Sequence, residues 1–378
     1  MIYLDSAATT KVFPKVLDKL KKIHQEYYAN PNSIHPDGQK SRRTIDEVRR
    51  FFSQMAGAEE EEIIFTSCAT ESNNTVIKGL YEAFPEKNHV IVSPIEHKSV
   101  LSPLRYLAKK GVKVDFLNVD KNGIVDIDEI REKITPKTLF VGIIHVNNET
   151  GVIQDLEEIG KLCREKDVLF FSDVVQSFGK INVPFDYLDF FSVSGHKINA
   201  PKGVGLLKRK KEVSVVPLLH GGGQEFGLRS GTENASGIVS LKIAAEKWLQ
   251  IREGFLEKSR KLENMLTFRL KSEIPEIKVV SEGFKVPYIT TVLFPGVDGH
   301  SMVIALGRKG IAVSSGSACS TGSPLPSHVL LSYGFSERDA LSGVRFSFGF
   351  DTTEEDVETA VKETVEVYKK LLSFTDFS

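Results

Sequence analysis

A lysine directly after a strand-like run is the first residue in this chain that is placed to do covalent chemistry. Lys197 closes the phrase Ser194-Gly195-His196-Lys197, which follows an apolar run over residues 188–191. Burial lowers the pKa of a lysine ammonium and frees a lone pair that attacks carbonyl carbons. The alternative is a solvated lysine at the end of a strand, which would carry no chemistry.

Two further candidates follow the predicted strands at residues 62–66 and 89–93. Ala69 and Thr70 stand where the first of these strands turns into a helix, and backbone N–H groups at such a helix start bind phosphate. Thr70 alternatively serves only as a helix N-cap. His97 follows the second strand, where an imidazole can lie over an aromatic cofactor or move protons; a hydrogen-bonded loop histidine is the alternative.

Two more polar groups follow the next pair of predicted strands, residues 138–145 and 168–172. Asn148 supplies an amide after the first and Asp173 a carboxylate after the second. A buried carboxylate needs a cation or a donor, and a protonated pyridine nitrogen is such a partner. The alternative for Asp173 is an N-cap of the turn that follows it.

These groups together match the needs of pyridoxal 5'-phosphate: an anion site, a partner for the ring face, a partner for the ring nitrogen and an amine for the aldehyde. The glycine spacing of a P-loop is missing, which argues against a nucleotide site of that type. The nine histidines and three cysteines show no zinc-ligand spacing. Pyridoxal phosphate is therefore the predicted cofactor, with no metal.

The elements that must position these residues alternate between strands and helices. Strands are predicted at residues 62–66, 89–93, 113–119, 138–145, 168–172 and 188–193, with helices such as 99–109 and 156–166 between them. This pattern predicts an α/β fold with a mostly parallel sheet between helices, whose active site lies at the carboxyl ends of the strands.

A long helical region over 234–272 separates this part from a second, smaller α/β pattern. Its strands are predicted at 278–281, 289–294, 311–314 and 344–348, and its helices at 301–308 and 354–372, the latter with Thr352 and Glu355 at capping-box spacing. The predicted division is a large cofactor-binding domain over 13–258 and a small domain formed by 1–12 and 259–378.

The composition is that of a globular enzyme without a charged or membrane-directed surface. The chain has 378 residues, of which 41% are hydrophobic, and its 49 basic and 50 acidic side chains nearly cancel. This balance does not favour nucleic acid or anionic membrane as a partner. No apolar run reaches the ~20 residues of a membrane span, and no signal peptide or Cys-x-x-Cys pair is visible. We therefore expect a cytoplasmic location.

The chain resembles the cysteine desulfurases of the NifS/IscS type, pyridoxal-phosphate enzymes with the aspartate-aminotransferase fold (fold type I). The resemblance runs nearly from end to end. Its motifs are Tyr3-Leu4-Asp5-Ser6-Ala7-Ala8-Thr9-Thr10, Phe65-Thr66-Ser67-Cys68-Ala69-Thr70-Glu71-Ser72, Glu96-His97-Lys98, His145-Val146-Asn147-Asn148-Glu149, Ser194-Gly195-His196-Lys197, Arg229-Ser230-Gly231-Thr232, Ser314-Ser315-Gly316-Ser317-Ala318-Cys319 and Val344-Arg345-Phe346-Ser347.

The resemblance implies a role for each matching residue. Lys197 would bond the cofactor aldehyde, and His97 would stack on the ring and carry protons. Asp173 would pair with the ring nitrogen and Gln176 with the phenolic oxygen. The phosphate would be held by Ala69, Thr70, Ser194 and His196, and by Thr232 of the other subunit of a homodimer. Asn148 would contact cofactor or substrate, and Arg345 would bind the substrate carboxylate, a bidentate task suited to guanidinium; a surface cation is the alternative for Arg345.

Cys319 is the residue that distinguishes the implied reaction. It lies in a run of small polar residues, and the resemblance makes it the nucleophile that takes sulfur from L-cysteine as a persulfide and leaves L-alanine. An ordinary loop cysteine is the alternative. Cys68 stands where the family usually has glycine, so the phosphate loop is expected to differ slightly there. Cys163 lies on an apolar helix stripe and is predicted to be core.

The implied partners are L-cysteine and a sulfur-acceptor protein such as an iron–sulfur scaffold. The better-known housekeeping members of the family carry a longer C-terminal tail used in docking scaffold proteins, whereas this sequence stops at Ser378 soon after its last predicted helix. Scaffold docking by that route is therefore not expected here, although sulfur transfer itself is. The rival readings are an aminotransferase or selenocysteine lyase of the same fold, and a non-catalytic sulfur carrier. The intact lysine, aspartate and cysteine argue against the carrier.

Overall fold

The computed structural model describes residues 1–316 and 325–375. The described strands are β1 Ile2–Tyr3, β2 Ile63–Thr66, β3 His89–Val92, β4 Lys113–Phe116, β5 Thr138–Gly142, β6 Leu169–Asp173, β7 Phe190–Ser194, β8 Gly205–Arg209, β9 Lys278–Val279, β10 Ile289–Leu293, β11 Ile311–Ala312 and β12 Gly343–Ser347. The described helices are α1 Pro14–Glu26, α2 Pro36–Ala56, α3 Ala69–Ala83, α4 Lys98–Ala108, α5 Ile127–Lys133, α6 Leu156–Glu165, α7 Ala235–Glu273, α8 Gly299–Arg308, α9 His328–Ser332, α10 Glu337–Leu341 and α11 Glu354–Thr375.

Seven strands form one large sheet in the order β2-β8-β7-β6-β5-β3-β4. The pairs from β7 through β6, β5 and β3 to β4 are all parallel, whereas β8 runs antiparallel to both of its neighbours. Apolar side chains are buried on both faces of this sheet, in two separate clusters. Burial on both faces explains why the inner parallel strands β3, β5, β6 and β7 read as near-continuous apolar runs. The predicted α/β fold is confirmed.

Two smaller sheets lie beside the large one. Strands β12, β10 and β9 form an antiparallel sheet, and β1 pairs in parallel with β11. An isolated bridge joins Asp5 to Ser347 of β12, so the N-terminal residues are hydrogen-bonded to the later part of the chain. The predicted division at 12/13 and 258/259 stays a prediction, and its second boundary falls inside the continuous 39-residue helix α7.

The structure corrects two sequence-based expectations. Strand β8 was not predicted; it is a short run that returns antiparallel to β7 after the turn containing Lys197. The helix α11 starts one residue later than the predicted capping box implies. Thr353 and Asp356 form the reciprocal cap, whereas the Thr352 hydroxyl accepts from the Gly349 N–H. Cys163, by contrast, is core as predicted, with 1% exposure.

In the described part of the chain, no helix combines the length and apolarity that a membrane crossing requires. The same residues contain no group of three or more histidine, cysteine, aspartate or glutamate side chains arranged to hold a metal ion.

Candidate active site

A cavity of about 470 Å³ opens at the carboxyl edge of the large sheet. The parallel strands deliver their polar residues to this edge because their carboxyl ends all point the same way. Ten of the twelve site residues predicted from the sequence line it: Ala69, Thr70, His97, Asn148, Asp173, Gln176, Ser194, His196, Lys197 and Arg345.

The other two predicted residues are not in this cavity. Thr232 is exposed and lines a separate groove beside Tyr28 and Asn30. Cys319 belongs to residues 317–324 and lies outside the described residues.

Lys197 sits on a single helical turn, Gly195–Lys197, that immediately follows β7. Its Nζ donates to the backbone oxygens of Ala7 at 2.5 Å and Ala8 at 2.8 Å. Burial, together with the positive charge of Arg345, lowers the pKa of Lys197 to about 8. A useful fraction of this amine is therefore neutral and nucleophilic near neutral pH.

Asp173 is the last residue of β6 and is 4% exposed. Its Oδ1 accepts from the Val175 N–H at 3.0 Å, and its Oδ2 accepts from Asn73 Nδ2 at 3.1 Å. Asn73 Nδ2 also donates to Ser99 Oγ at 2.8 Å. Neutral donors thus fix the carboxylate in place, and its negative charge is available to a cation in the cavity.

His97 is the N-cap of α4, and this cap fixes its ring. Its Nδ1 lies 3.1 Å from the Ser99 backbone nitrogen, from which it accepts, and 2.7 Å from Ser99 Oγ. Because Nδ1 is the acceptor, the neutral ring carries its hydrogen on Nε2. Burial lowers the pKa of His97, so the neutral form prevails at neutral pH.

The start of α3 presents an anion site at the cavity. Cys68 is the N-cap, in extended backbone conformation (φ −176°), and its side chain makes no capping hydrogen bond, so the positive helix end is left for another acceptor. Extended backbone suits any residue, which explains how cysteine replaces the usual glycine without strain. Ser194 and His196 complete this corner, and burial with the charge of Lys197 lowers the pKa of His196 to about 4.

Two buried polar atoms in the cavity lack partners among the described residues. Gln176 donates through Nε2 to the Ala7 oxygen at 2.9 Å, while its Oε1 has no donor. Arg345 donates to Asp5 Oδ1 and to the Asn148 oxygen, both at 2.7 Å, while its Nε has no acceptor. Unpaired buried groups of this kind are costly unless a ligand satisfies them.

These residues fit pyridoxal 5'-phosphate. The open helix end of α3 suits the phosphate, the unpartnered Gln176 Oε1 suits the phenolic oxygen, Asp173 suits the ring nitrogen and Lys197 suits the aldehyde. The unpartnered Arg345 Nε is available to a substrate carboxylate.

Sequence reasoning missed several residues that support the site, among them Asn73, Ser99, Asp5 and Glu149. Asn73 had a readable signal: it falls on the buried face of α3, whose other members include Val76, Ile77 and Leu80, and a polar residue on an apolar stripe needs a partner. The contacts of Ser99 with Asn73, of Asp5 with Arg345 and of Glu149 with Ser327 join distant segments and leave no local pattern.

Comparison with known proteins places the chain in a family. The model of the aminotransferase class-V family matches residues 2–359. The chain is 38% identical to the cysteine desulfurase of Nostoc sp., over 100% of this chain and 95% of that protein. It is 43% identical to the cysteine desulfurase IscS of Rickettsia typhi, over 95% and 89% of the two chains. A solved NifS-like protein superposes with a TM-score of 0.91 at 35% identity, covering 98% of this chain and 100% of the other.

The cavity and the full-length similarity lead to the same assignment. An amine, a carboxylate and an anion site converge in one cavity of a chain that the aminotransferase class-V model matches over residues 2–359. The chain belongs to the aminotransferase class-V family and is a pyridoxal-phosphate-dependent enzyme.

Proposed function

We propose that this enzyme is a cysteine desulfurase that converts L-cysteine to L-alanine and transfers the sulfur to Cys319 as a persulfide. The observation that carries the proposal is one cavity in which Lys197, Asp173 and Arg345 converge, with the Arg345 Nε still free to bind a carboxylate. Relatives that bear the name cysteine desulfurase support it over nearly the full length of the chain.

The residues that would hold the cofactor all line the cavity. Ala69, Thr70, Ser194 and His196 bind the phosphate, Asp173 the ring nitrogen and Gln176 the phenolic oxygen, and Lys197 bonds the aldehyde. His97 covers the ring face. When bound, pyridoxal phosphate draws electron density away from the substrate Cα.

The chain's own groups orient the substrate and move its protons. Arg345 and Asn148 bind the carboxylate of L-cysteine and orient its Cα toward Lys197. The Lys197 amine, once the amino group of the substrate has replaced it at the cofactor aldehyde, would accept and return the proton at Cα, a task suited to its lowered pKa. His97, whose Nδ1 accepts from Ser99 and whose hydrogen is on Nε2, serves the proton traffic at the substrate thiol by donating a hydrogen bond from Nε2 to its sulfur.

Cys319 supplies the nucleophile for sulfur transfer. Its thiolate forms a bond to the substrate sulfur as the substrate Cβ–S bond breaks, and Cβ gains the proton that completes alanine. The balance is L-cysteine plus one enzyme thiol giving L-alanine plus one enzyme persulfide. The sulfur atom of the substrate is thereby carried on the protein for delivery to an acceptor.

The proposal includes a homodimer in which Thr232 serves the site of the other subunit. Thr232 is exposed and lines a groove other than the active-site cavity of its own chain. The segment before it is firmly anchored, because the Glu225 carboxylate accepts two 2.8 Å bonds from the buried Arg49 guanidinium and a third from the Phe65 N–H. The two-domain division, a cytoplasmic location and delivery of sulfur to an acceptor such as an iron–sulfur scaffold belong to the same proposal.

Two substitutions separate the cofactor role from the sulfur role. We expect Lys197→Ala to lose the borohydride-stable attachment of the cofactor and at least ~10³-fold of activity, while the exposed Lys202→Ala keeps both. We expect Cys319→Ala to keep the cofactor spectrum and its change on adding cysteine, but to form no protein persulfide. Alanine and persulfide are measured together by mass spectrometry, without any keto-acid acceptor.

Two results would contradict the proposal. Full desulfurase activity in Cys319→Ala would remove the nucleophile assignment. A strict requirement for a keto acid, with no persulfide on the wild-type enzyme, would make the protein an aminotransferase instead.

A further inference from the structure

Glu149 is a buried carboxyl that lines the same cavity and has no role in the chemistry above. Its backbone is fixed from two sides: its N–H donates to Asn147 Oδ1 at 2.9 Å, and its carbonyl accepts from Thr291 Oγ1 at 2.7 Å. The side chain therefore projects from a rigid point beside β10. Because the backbone of Glu149 is fixed, its carboxylate is a rigid hydrogen-bond acceptor for neighbouring segments.

The carboxylate contacts the chain on both sides of residues 317–324. Ser327 Oγ donates to Glu149 Oε2 at 2.5 Å. On the other side, a Cβ built on Gly316 would collide with Glu149 Oε2 and stand 3.3 Å from the Ser327 Cβ. Residues 316 and 327 are eleven positions apart in the sequence, yet both meet the same carboxylate.

Ser327 joins this contact to a helix. Its hydroxyl donates its hydrogen to Glu149 and also accepts from the Leu330 N–H at 3.3 Å, which makes it the N-cap of α9. Glu149 thus orients the hydroxyl that begins α9. Loss of the carboxylate would free the direction of that hydroxyl even though the cap residue remained.

The charge on Glu149 is balanced by groups from other elements. Burial raises the pKa of Glu149 to about 7, while the hydrogen bond from Ser327 and the positive charges of Arg345 on β12 and Lys98 on α4 oppose that rise. Tyr333, which follows α9, is a further titratable neighbour among the described residues. Both the ionised and the protonated carboxyl keep an oxygen that can accept from Ser327.

We propose that Glu149 is a positioning residue: its carboxylate fixes Ser327 and packs against Gly316, the described residues on either side of the segment that carries Cys319, and through them governs the rate at which that cysteine reacts. The link to sulfur transfer rests on the proposed function, in which Cys319 is the nucleophile. The positional part of the inference stands on the contacts of Glu149 alone.

The test compares two serine caps that differ in one contact. Ser327→Ala and Ser336→Ala each remove the N-cap of a five-residue helix, but only Ser327 contacts Glu149. In the holoenzyme we expect Ser327→Ala and Glu149→Ala to lower kcat for persulfide formation about tenfold, with KM for cysteine within about twofold of wild type. Ser336→Ala should retain the wild-type rate. Glu149→Gln, which keeps an acceptor oxygen, should recover most of the loss of Glu149→Ala.

A second measurement does not depend on the desulfurase reaction. The rate at which iodoacetamide alkylates Cys319, followed by peptide mass spectrometry in substrate-free holoenzyme, should change at least about threefold in Ser327→Ala relative to Ser336→Ala. Equal alkylation rates in these two variants would overturn the inference, as would Glu149→Gln as impaired as Glu149→Ala. The serine pair decides the question even where Glu149→Ala fails to fold. Full activity of Cys319→Ala would overturn the proposed function, while the alkylation comparison would still judge Glu149.

Discussion

The two sides of the active-site cavity are built in different ways. On the side of the large sheet, Asp173, Asn73, Ser99 and His97 form one continuous chain of hydrogen bonds behind strand ends that are themselves fixed by the sheet. On the other side, Arg345 comes from the small antiparallel sheet.

The side of the cavity that contains Arg345, to which the proposed function assigns the substrate and which is called the substrate side below, depends on a few side-chain contacts between distant segments. Arg345 is held by Asp5, 340 positions earlier in the chain, and by the backbone oxygen of Asn148. Ser327, the N-cap of α9, is held by a hydrogen bond to the Glu149 carboxylate. The cofactor side is therefore positioned by adjacent strand ends of one sheet. The substrate side relies on a few side-chain contacts, so the loss of any one of them should displace the site more.

The largest expected effect is on the substrate side, where substitution of Arg345 should lower kcat/KM for cysteine. Arg345→Lys removes the fork that contacts both Asp5 and Asn148, and a single ammonium cannot replace it. We expect kcat/KM for cysteine to fall at least about thirtyfold, or ~2 kcal/mol, with the cofactor spectrum unchanged. Steady-state kinetics and the visible spectrum test this, with the exposed Arg338→Lys as control. Loss of the cofactor in Arg345→Lys would show that the two sides are not separable.

A smaller effect is predicted on the cofactor side. Asn73→Ala removes the donor shared by Asp173 and Ser99, but the Val175 N–H still holds Asp173. We expect about a tenfold loss of affinity for pyridoxal phosphate, since a hydrogen bond to a charged group contributes ~1.5 kcal/mol. Titration of the apoprotein with cofactor measures it, with the exposed Asn264→Ala as control. An unchanged affinity would mean that the sheet alone positions Asp173.

The last predicted effect concerns the stability of the fold behind the cofactor side rather than binding or catalysis. Burial raises the pKa of Glu96 to about 8, because its desolvation outweighs the hydrogen bonds from Ser93 and Ile144. The folded state therefore binds this proton more tightly than the unfolded state. The contribution of this proton to the free energy of unfolding is fully present below 4.5, the pKa of Glu96 in the unfolded chain. It is lost as the pH rises to about 8, the pKa of Glu96 in the folded protein.

Glu96→Gln should remove this pH dependence. Relative to the variant, the wild-type protein should lose about 1–3 kcal/mol of unfolding free energy between pH 5 and pH 8. Urea denaturation of both proteins at the two pH values measures the difference, with the exposed Glu86→Gln as control. Parallel pH profiles for wild type and Glu96→Gln would show that Glu96 does not hold the proton.

Much of the fold and the site was predictable because both follow local patterns. Continuous apolar runs marked β3, β5, β6 and β7, since strands covered on both faces need apolar residues throughout. The rule that sites form at carboxyl strand ends then selected Lys197, His97 and Asp173 in advance, and the cavity contains all three. Strand β8 was missed because a short antiparallel return leaves the same pattern as a loop that leads away from a strand.

The sequence by itself determined which chemical groups are available: a lysine, a carboxylate and a helix start at the ends of β7, β6 and β2, and a cysteine in a run of small residues. Only the tertiary structure decided how those groups are held. The tether from Asp5 to Arg345, the shared donor Asn73 and the contact of Glu149 with Ser327 all join residues that are 26 to 340 positions apart. Such contacts depend on how the sheets and helices pack, and packing leaves no periodicity in the sequence from which to read them.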